Sequence, residues 1–490
     1  NYDYKGKYLA EVSGRYDGSS KFPTNSKWGF FPSASVAWRV SEEPWMKWSE
    51  EWLDNFKIRL SAGSMGNGNV DPYSYTSEMT VVTASDIVLG GGLPSYTTVG
   101  STVPVSLTWE KSTTYDLGLD LDFLNNRLSF SGDYYRRYTT DMYTPSISLP
   151  SVYGTTSPKG NNAELRTTGW ELSLTWRDSF KLGGKPFDYS IKAMVWDNRT
   201  VVTKYENATR SLGTLKGYIQ NGGSPSDFYE GMELGEMWGY TVAGLFRDQA
   251  DIDSSATHDF TQASDKVTRP GQVKIADLDH NGNIDPGAFT ADDHGDLSII
   301  GNINPHYMFG VNLAANWNGI GLSVFLQGVM KRDWYPSPDS GYFWGKYARP
   351  FMWVLGIHNY TDDMYSEEKN NWDTAYWPRM TTYQSNSSYS WTKLLEIPNT
   401  RYKQNAAYLR VKNIQVDYTF PKALCQKIRL GGLKIYLSGE NLFTFTPLHK
   451  YAPNFDPEAL GYDTDFSSTA GDGYTYPVLK SVTLGVNITF

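Results

Sequence analysis

A short acidic segment carries the side chains in this sequence that could most readily hold a metal ion. Its oxygen-bearing residues recur at every second position: Asp277, Asp279, Asn281, Asn283 and Asp285. Gly282 occupies position 6 of the pattern, where the calcium loop of an EF-hand makes a sharp turn, and Ile284 occupies position 8. Because calcium prefers several oxygen ligands that converge from one tight turn, the spacing predicts a calcium site that stiffens a loop.

The twelfth position of this calcium loop departs from the EF-hand pattern. EF-hands place a bidentate carboxylate there, whereas this sequence has Ala288. Asp292, Asp293 or Asp296 could supply the missing carboxylate after an insertion. The alternative interpretation is a solvated turn, rich in Asp and Asn, that holds no ion.

A second group of candidate residues is aromatic and falls in the longest segment without sustained alternation, residues 332–405. The candidates for substrate contact are Tyr342, Trp344, Trp353, Trp372, Tyr376 and Trp377. Flat rings of this kind can stack on sugar rings or grip peptide side chains, because they combine apolar area with a polar tip. The alternative is that the rings pack the loop against itself or against a partner.

The sequence contains no arrangement that is typical of a catalytic site. Its 6 histidines lack the spacing of a zinc protease, and it has neither a Gly-x-Ser-x-Gly elbow nor a phosphate-binding loop. The formal net charge of -9 argues against nucleic acid as a partner, since phosphate binding requires clustered Lys and Arg. We therefore expect a protein that is not an enzyme and requires no cofactor apart from the possible structural calcium ion.

The segments that must position these residues alternate between apolar and polar side chains with period two, which indicates β-strands. The clearest apolar faces belong to residues 56–62, 115–123, 128–134, 170–176, 309–317, 320–326, 433–437 and 482–490. Asn125-Asn126 and Asn318-Gly319 indicate tight hairpin turns, whereas residues 141–163, 199–235, 247–304 and 332–405 are long connections. About a dozen strands of roughly ten residues would each cross a tilted span of a bilayer.

Composition is compatible with strands that cross an outer membrane. Aromatic residues make up 15% of the chain, and no apolar run is long enough for a transmembrane helix. Low mean hydropathy is expected when half of each strand faces a polar lumen. The last residue, Phe490, ends a strand with apolar residues at period two, as in the strand that closes an outer-membrane barrel. We predict an all-β, antiparallel transmembrane barrel with long extracellular loops; a soluble β-sandwich or β-helix is the alternative.

Ordered blocks from end to end give the chain a resemblance to a known family. They lie at residues 4–9, 15–20, 31–38, 109–112, 117–120, 169–172, 300–305 and 439–442. In this order they are similar to blocks of the SusC/RagA-type TonB-linked outer-membrane transporters of Bacteroidota. The resemblance covers essentially the whole of residues 1–490.

The resemblance implies a barrel of about 22 strands around a plug domain, a size at which the lumen is plugged. Residues 1–490 would then be the C-terminal part of the barrel, with the plug and the early strands outside this chain. It also implies active import of a large nutrient, an oligosaccharide or alternatively a peptide, energised through TonB under a SusD-type surface lipoprotein. A passive porin-like channel and a soluble glycan-binding β-protein are the other hypotheses.

Overall fold

The computed structural model describes most of the chain, and all structural statements below concern the residues that it describes. These are residues 1–76, 79–85, 87–99, 107–145, 152, 159–212, 228–258, 268–336, 343, 363–379, 398–460 and 478–490. The chain divides into two compact units. One unit comprises Asn1–Leu172, Asn198–Ala208 and Phe228–Glu233, and the other comprises Ser173–Asp197, Thr209–Asp227 and Leu234–Phe490.

Extended structure dominates both units. The strands, in chain order, are β1 (Tyr2–Tyr4), β2 (Tyr8–Gly18), β3 (Trp28–Arg39), β4 (Leu53–Asn67), β5 (Met79–Thr83), β6 (Ser95–Val99), β7 (Glu110–Phe123), β8 (Leu128–Pro145), β9 (Lys159–Leu182), β10 (Lys185–Lys204), β11 (Glu236–Tyr240), β12 (Val242–Leu245), β13 (Val273–Ile275), β14 (Leu297–Asn302), β15 (His306–Trp317), β16 (Ile320–Lys331), β17 (Asp333–Trp334), β18 (Gln404–Asn405), β19 (Tyr408–Thr419), β20 (Gly432–Phe445) and β21 (Ser481–Thr489). Short α-helices lie at Gln249–Asp253 and Lys422–Lys427, and 3₁₀ turns lie at Val40–Glu42, Pro44–Ser49 and Pro447–Lys450. No helix in the described ranges is both long and apolar enough to cross a membrane.

One sheet contains most of the long strands. Hydrogen bonds connect 13 of the described strands in the order β1-β2-β3-β4-β7-β8-β9-β10-β15-β16-β19-β20-β21. Four small two-stranded sheets, β5–β6, β11–β14, β12–β13 and β17–β18, belong to the long connections. The neighbours in the large sheet are also neighbours in sequence once those small sheets are set aside. This up-and-down order confirms the prediction of an antiparallel fold of about a dozen strands.

The strands of the first unit have one apolar and one polar face. Val36 of β3 is opposite Leu60 of β4, and Leu60 is opposite Leu117 of β7. The three side chains lie on one face and are about half exposed. Arg59, on the other face, binds Asp120 at 2.9 Å and Asp133 at 2.9 Å. Because side chains alternate between the faces of a strand, this register separates the apolar and polar side chains cleanly.

The same separation occurs in the second unit. Leu322 of β16 is opposite Val416 of β19, and Val416 is opposite Leu437 of β20. On the other face, Lys434 Nζ lies 3.0 Å from Asp417 Oδ2. An apolar face suits lipid, whereas the polar face suits a hydrated lumen.

Connections between the strands of the large sheet differ in length between its two edges. At one edge none exceeds 13 residues; these are residues 5–7, 40–52, 124–127, 183–184, 318–319 and 420–431. At the other edge four exceed 30 residues; the connections there are residues 19–27, 68–109, 146–158, 205–305, 332–407 and 446–480. In an up-and-down sheet, alternate connections lie at opposite edges, and transmembrane barrels have short periplasmic turns and longer extracellular loops. The long connections are therefore extracellular.

Three strands extend further than the sequence pattern indicates. β8 continues to Pro145 and β9 begins at Lys159, so both enter the predicted connection at residues 141–163. β10 continues to Lys204 and enters the predicted connection at residues 199–235. A strand that projects beyond the membrane has water on both sides, and its side chains therefore need not alternate in polarity. Period two marks only the part of each strand that crosses the lipid.

The predicted closing strand is present as β21, which pairs with β20. Its apolar face continues that of β20, because Leu437 is opposite Leu484 and Ile435 is opposite Val486. Phe490 follows the last strand residue and is 94% exposed. An exposed aromatic side chain at this edge is compatible with the predicted role of Phe490 in closing a barrel.

Candidate functional site

The acidic segment at residues 277–285 folds into a tight turn in the second unit. His280 and Gly282 have positive φ angles of 60° and 85°, which bend the backbone sharply. Asp277 Oδ2 accepts a hydrogen bond from Gly282 N at 3.0 Å, and Asn281 Oδ1 accepts one from Asn283 N at 2.7 Å. These bonds point the side-chain oxygens toward the inside of the turn.

A backbone contact from an earlier segment anchors this turn. Thr257 N donates to Gly282 O at 2.8 Å, and Thr257 O accepts from Ile284 N at 2.8 Å. Ile284 is almost fully buried, as expected for position 8 of such a loop. The turn is thus fixed at its centre by apolar packing while its acidic residues stay near the surface.

Three carboxylates converge at the turn. One oxygen each of Asp277, Asp279 and Asp296 lies within 4.8 Å of the others. Asp296 is fully buried, and its oxygens accept hydrogen bonds from Leu278 N at 2.6 Å and Asp285 N at 2.9 Å. Burial raises the pKa of the Asp296 carboxyl, although the two backbone donors oppose this shift.

The remaining predicted calcium ligands lie beside this trio. Asn281 Nδ2 donates to Asp279 Oδ2 at 2.9 Å and to Asp285 Oδ2 at 3.1 Å. Asn283 contributes backbone contacts to the turn. Of the three carboxylates that could replace position 12, Asp296 joins the cluster, whereas Asp292 forms an ion pair with Arg210. A set of carboxylate oxygens at this separation could bind one hard divalent cation.

An aromatic cluster occupies the core of another part of the extracellular loops. Trp377 and Tyr402 stack with ring centroids 5.6 Å apart, and Phe343 meets Trp377 edge-on at 5.5 Å. Tyr376 stacks on Tyr451 with the centroids 3.6 Å apart. Burial raises the pKa values of Tyr376 and Tyr402 above their usual range, so both phenols stay protonated.

The aromatic residues predicted to contact substrate have different environments. Tyr342, Trp344 and Trp353 lie outside the described residues. Trp372 is partly exposed and Tyr376 is half-buried, whereas Trp377 is only 1% exposed. In this arrangement Trp377 packs the loop, and the accessible edge that a ligand could touch belongs to Trp372 and Tyr376.

Two arginines form hydrogen bonds between the loops, and the sequence analysis did not identify either of them. Arg401 donates through Nε to Tyr376 O at 2.9 Å, and its Nη2 donates to Ala375 O. Arg332 donates to Ile303 O at 3.2 Å, Pro457 O at 3.0 Å and Leu460 O at 2.6 Å. Burial lowers the pKa of Arg332. A guanidinium has five donors in a rigid plane, so one arginine can satisfy carbonyls from several segments that are distant in sequence.

An ion network holds the segment at residues 446–460. Arg410 of β19 lies 2.6 Å from Asp456 Oδ1 and 3.0 Å from Glu458 Oε2, and Lys412 also binds Glu458 at 2.7 Å. The Arg410 side chain is only 3% exposed. Burial would raise the pKa of Asp456, but hydrogen bonds from Glu458 N and Arg410 hold it below its usual value. Nothing in the sequence pattern of residues 408–419 predicts that this arginine is buried in an ion network.

His258 is a buried histidine close to the acidic turn at residues 277–285. Its Nε2 accepts a hydrogen bond from Ile275 N at 3.0 Å, and Nδ1 lies 3.0 Å from Ala256 O, which fixes a neutral tautomer with the proton on Nδ1. Burial lowers the pKa of His258 to about 4, and the ammonium of nearby Lys274 acts in the same direction. Lys274 is in turn paired with Asp251 at 2.7 Å.

We expect acid to destabilise this loop through His258. An unfolded histidine takes up a proton near pH 6.5, whereas folded His258 remains neutral until about pH 4, so the stabilisation is complete above pH 6.5 and is lost as the pH falls toward 4. Hydrogen exchange at residues 268–276, corrected for the intrinsic pH dependence, should rise across this window. In His258→Asn, which keeps an acceptor but does not titrate, the rise should be smaller. An equal rise in both proteins would contradict the assignment.

Comparisons with known proteins agree with this architecture. The model of the family "TonB dependent receptor-like, beta-barrel" matches residues 1–292. The chain is 28% identical over 501 residues to TonB-dependent receptor P3 of Formosa agariphila, covering 100% of this chain and 45% of the relative. It is 25% identical over 506 residues to TonB-dependent receptor SusC of Bacteroides thetaiotaomicron, covering 100% of this chain and 43% of that protein. The chain thus spans less than half the length of these relatives.

A solved structure has the same fold. The chain superposes on a chain of the RagAB peptide transporter with a TM-score of 0.69 at 20% identity, covering 100% of this chain and 46% of that one. The family match covers more than half of the 490 residues, and the strand order and the two-faced strands are those of an outer-membrane barrel. The chain therefore belongs to the TonB dependent receptor-like β-barrel family of the bacterial outer membrane, and it is similar to the SusC and RagAB proteins named above.

Proposed function

We propose that this chain forms wall strands and extracellular loops of a transporter that actively imports a large nutrient across the outer membrane. The main support is a two-faced sheet of 13 described strands whose long connections, where the structure describes them, are folded and internally bonded. Loops of that length in a compact protein are seldom idle, and here buried arginines and stacked rings hold them in a definite arrangement.

Energy for import would come through TonB. Membership of a family of TonB-dependent receptors supports this proposal. A SusD-type surface lipoprotein would cap the extracellular loops, as kinship with SusC suggests. Transport would then depend on differential binding, in which a capped and loaded state gives way to an opened one.

We propose an oligosaccharide as the substrate class and a peptide as the second candidate. Partly exposed Trp372 offers a flat surface of the kind on which sugar rings stack, and Tyr376 offers an accessible edge beside it. Likeness to a solved peptide transporter favours the second candidate, but that likeness extends only to the fold.

A deletion strain tests both the activity and the substrate class. Growth of the strain on single glycans and on peptides as sole nutrient should fail for the imported class and recover with the complete gene. A matched pair of variants, Trp372→Ala and the control Trp52→Ala at a short connection, then tests the loop aromatics. Unimpaired growth on every nutrient would refute import, and equal growth of both variants would refute the substrate role of Trp372.

We also propose that the carboxylates at the turn hold a calcium ion that stiffens the extracellular loop. The buried Asp296 beside Asp277 and Asp279 supports this, because it supplies the carboxylate that Ala288 cannot. Asp277, Asp279, Asn281 and Asp285 would bind through side-chain oxygens, and Asn283 through its carbonyl oxygen, as in an EF-hand. The ion would neutralise carboxylates that otherwise repel each other.

Calcium binding is expected to depend on the converging carboxylates. In the full-length protein, freed of metal by chelation, Asp277→Asn with Asp279→Asn should weaken calcium binding at least about tenfold, because affinity follows the number of ligand charges. Equilibrium dialysis with calcium measures this. The control is Asp253→Asn, since Asp253 lies on a nearby helix and accepts a hydrogen bond from Gln249. Unchanged binding in the double variant, or an equal loss in the control, would contradict the proposed site.

A further inference from the structure

A shallow groove lies on the apolar face of the first unit. It has a volume of about 750 Å³ and spans β3, β4, β7 and β8. Small side chains, Ala34 and Ala62, form its floor, and Val36, Leu60 and Leu117 line it beside them. Three tyrosines and one arginine of β7 and β8 complete the lining: Tyr115, Tyr134, Tyr138 and Arg136. The groove is thus mostly apolar, with one basic side chain on β8.

The register places Arg136 on the side of the sheet that faces lipid. Arg136 is opposite Tyr115, and Tyr134 is opposite Leu117 on the same face. Asp133, an odd number of residues away on β8, binds Arg59 on the polar face. Since successive side chains point to opposite faces, Arg136 must lie with the apolar residues. A charged side chain on the lipid face costs several kcal/mol at mid-membrane but little near an interface.

The position of Arg136 along β8 puts it near the outer leaflet. β8 begins at Leu128, just after the short connection 124–127, where Trp52 stacks on Phe123 at 6.0 Å in the manner of an interfacial aromatic girdle. Arg136 follows eight residues later, which is about 27 Å along a strand and roughly 20 Å of height at a tilt of about 40°. An apolar band about 25 Å tall places it close to the extracellular headgroups.

The protein partners of the Arg136 guanidinium are tyrosine hydroxyls. Nη2 lies 3.4 Å from the hydroxyl of Tyr134, a long hydrogen bond, and the hydroxyl of Tyr138 is a second partner. Among the described residues, no carboxylate forms a salt bridge with it. An anionic headgroup would supply the charge partner, and the groove below would receive an acyl chain.

We propose that this groove binds a phosphorylated glycolipid of the outer leaflet, with a phosphate on Arg136 and an acyl chain over Ala34 and Ala62. Arginine binds phosphate oxygens in a planar, two-pronged geometry, and the hydroxyls of Tyr134 and Tyr138 flank that position. The apolar floor excludes water from the chain and leaves room for it because alanine methyls are small. The bound lipid becomes part of the wall of the transporter.

Native mass spectrometry of the full-length protein in detergent, titrated with monophosphorylated lipid A, tests this proposal. Arg136→Gln should reduce lipid A affinity about tenfold, and Ala62→Leu should reduce it by filling the floor of the groove. Arg137→Gln is the matched control, because Arg137 points to the polar face and binds Thr114 there at 3.3 Å. Affinity in this control should equal that of the parent protein.

Several outcomes would overturn the proposal. Unchanged lipid A affinity in Arg136→Gln would show that Arg136 does not bind the phosphate. An equal loss of lipid A affinity in Arg137→Gln would show that the attraction is non-specific. Unchanged lipid A affinity in Ala62→Leu would show that the acyl chain does not lie in the groove. A parallel titration with phosphatidylglycerol identifies which lipid supplies the phosphate. If phosphatidylglycerol bound more tightly than lipid A, and Arg136→Gln abolished that binding, the site would belong to a phospholipid instead.

Discussion

Replacing Arg410 with methionine should release the segment at residues 446–460 from the wall strands β19 and β20. The substitution removes the guanidinium that binds Asp456 and Glu458, while the two carboxylates remain in a largely buried position. Removal of one partner from a buried ion pair costs about 3–5 kcal/mol, because the partner left behind keeps its desolvation penalty. Methionine approximates the length of the arginine stem, so lost packing contributes little.

Hydrogen exchange of residues 446–460 in detergent measures this effect, and protease nicking of the same segment is a second readout. The control is Arg15→Met, because Arg15 pairs with Asp17 on a surface where the arginine is 79% exposed. An exposed pair of this kind contributes about 1 kcal/mol or less. Combining Arg410→Met with Asp456→Asn and Glu458→Gln should recover part of the lost protection. Full protection in Arg410→Met alone would show that the network does not hold the segment.

Gly271→Ala should destabilise the junction between residues 246–273 and 363–379 by about 2–4 kcal/mol. Gly271 has a φ of 82°, where alanine is strained by about 1 kcal/mol. An added Cβ would also lie 2.0 Å from the ring of Tyr365, and overpacking of this kind typically costs about 1–3 kcal/mol. Gly271 additionally bonds Phe246 O through its N–H and Arg379 N through its carbonyl, both at 2.7 Å. The strain would therefore loosen both segments.

The variant Gly184→Ala separates the two causes of destabilisation, which are backbone strain and the close contact with Tyr365. Gly184 has a similar φ of 79°, but a Cβ added there would point into open space, with no other atom within 4 Å. Gly184→Ala should lower the free energy of unfolding by only about 1 kcal/mol, which is the cost of the backbone conformation. Hydrogen exchange at residues 363–379 and around 183–184 compares the two variants. If Gly271→Ala were no more damaging than Gly184→Ala, the close contact with Tyr365 would not constrain the junction.

The sequence alone determined the class of fold and the faces of its strands. Alternation is a local property, so residues such as Leu117 and Asp120 show which side of β7 is apolar without any knowledge of its neighbours. Turn chemistry is equally local, and Asn318-Gly319 is the two-residue hairpin that it predicts. The tight acidic turn at residues 277–285 follows for the same reason.

Only the tertiary structure decided which distant residues meet. Asp296, and neither Asp292 nor Asp293, joins Asp277 and Asp279, because the chain between them folds back in a way that no spacing rule describes. Trp377 is a packing residue here although its type suited a ligand surface equally well, since burial depends on segments far away in sequence such as Tyr402.

Three arginines show the same limit of sequence-based prediction. Arg332, Arg410 and Arg136 look alike in the sequence, yet one caps carbonyls, one neutralises carboxylates and one faces lipid. Their roles depend on strand register and on loop contacts that cross more than a hundred residues, such as Arg332 to Leu460. Period two specifies the face on which a side chain lies, because it is set by neighbouring peptide units. Its partner is set by the packing of the whole chain, which only the folded protein reveals.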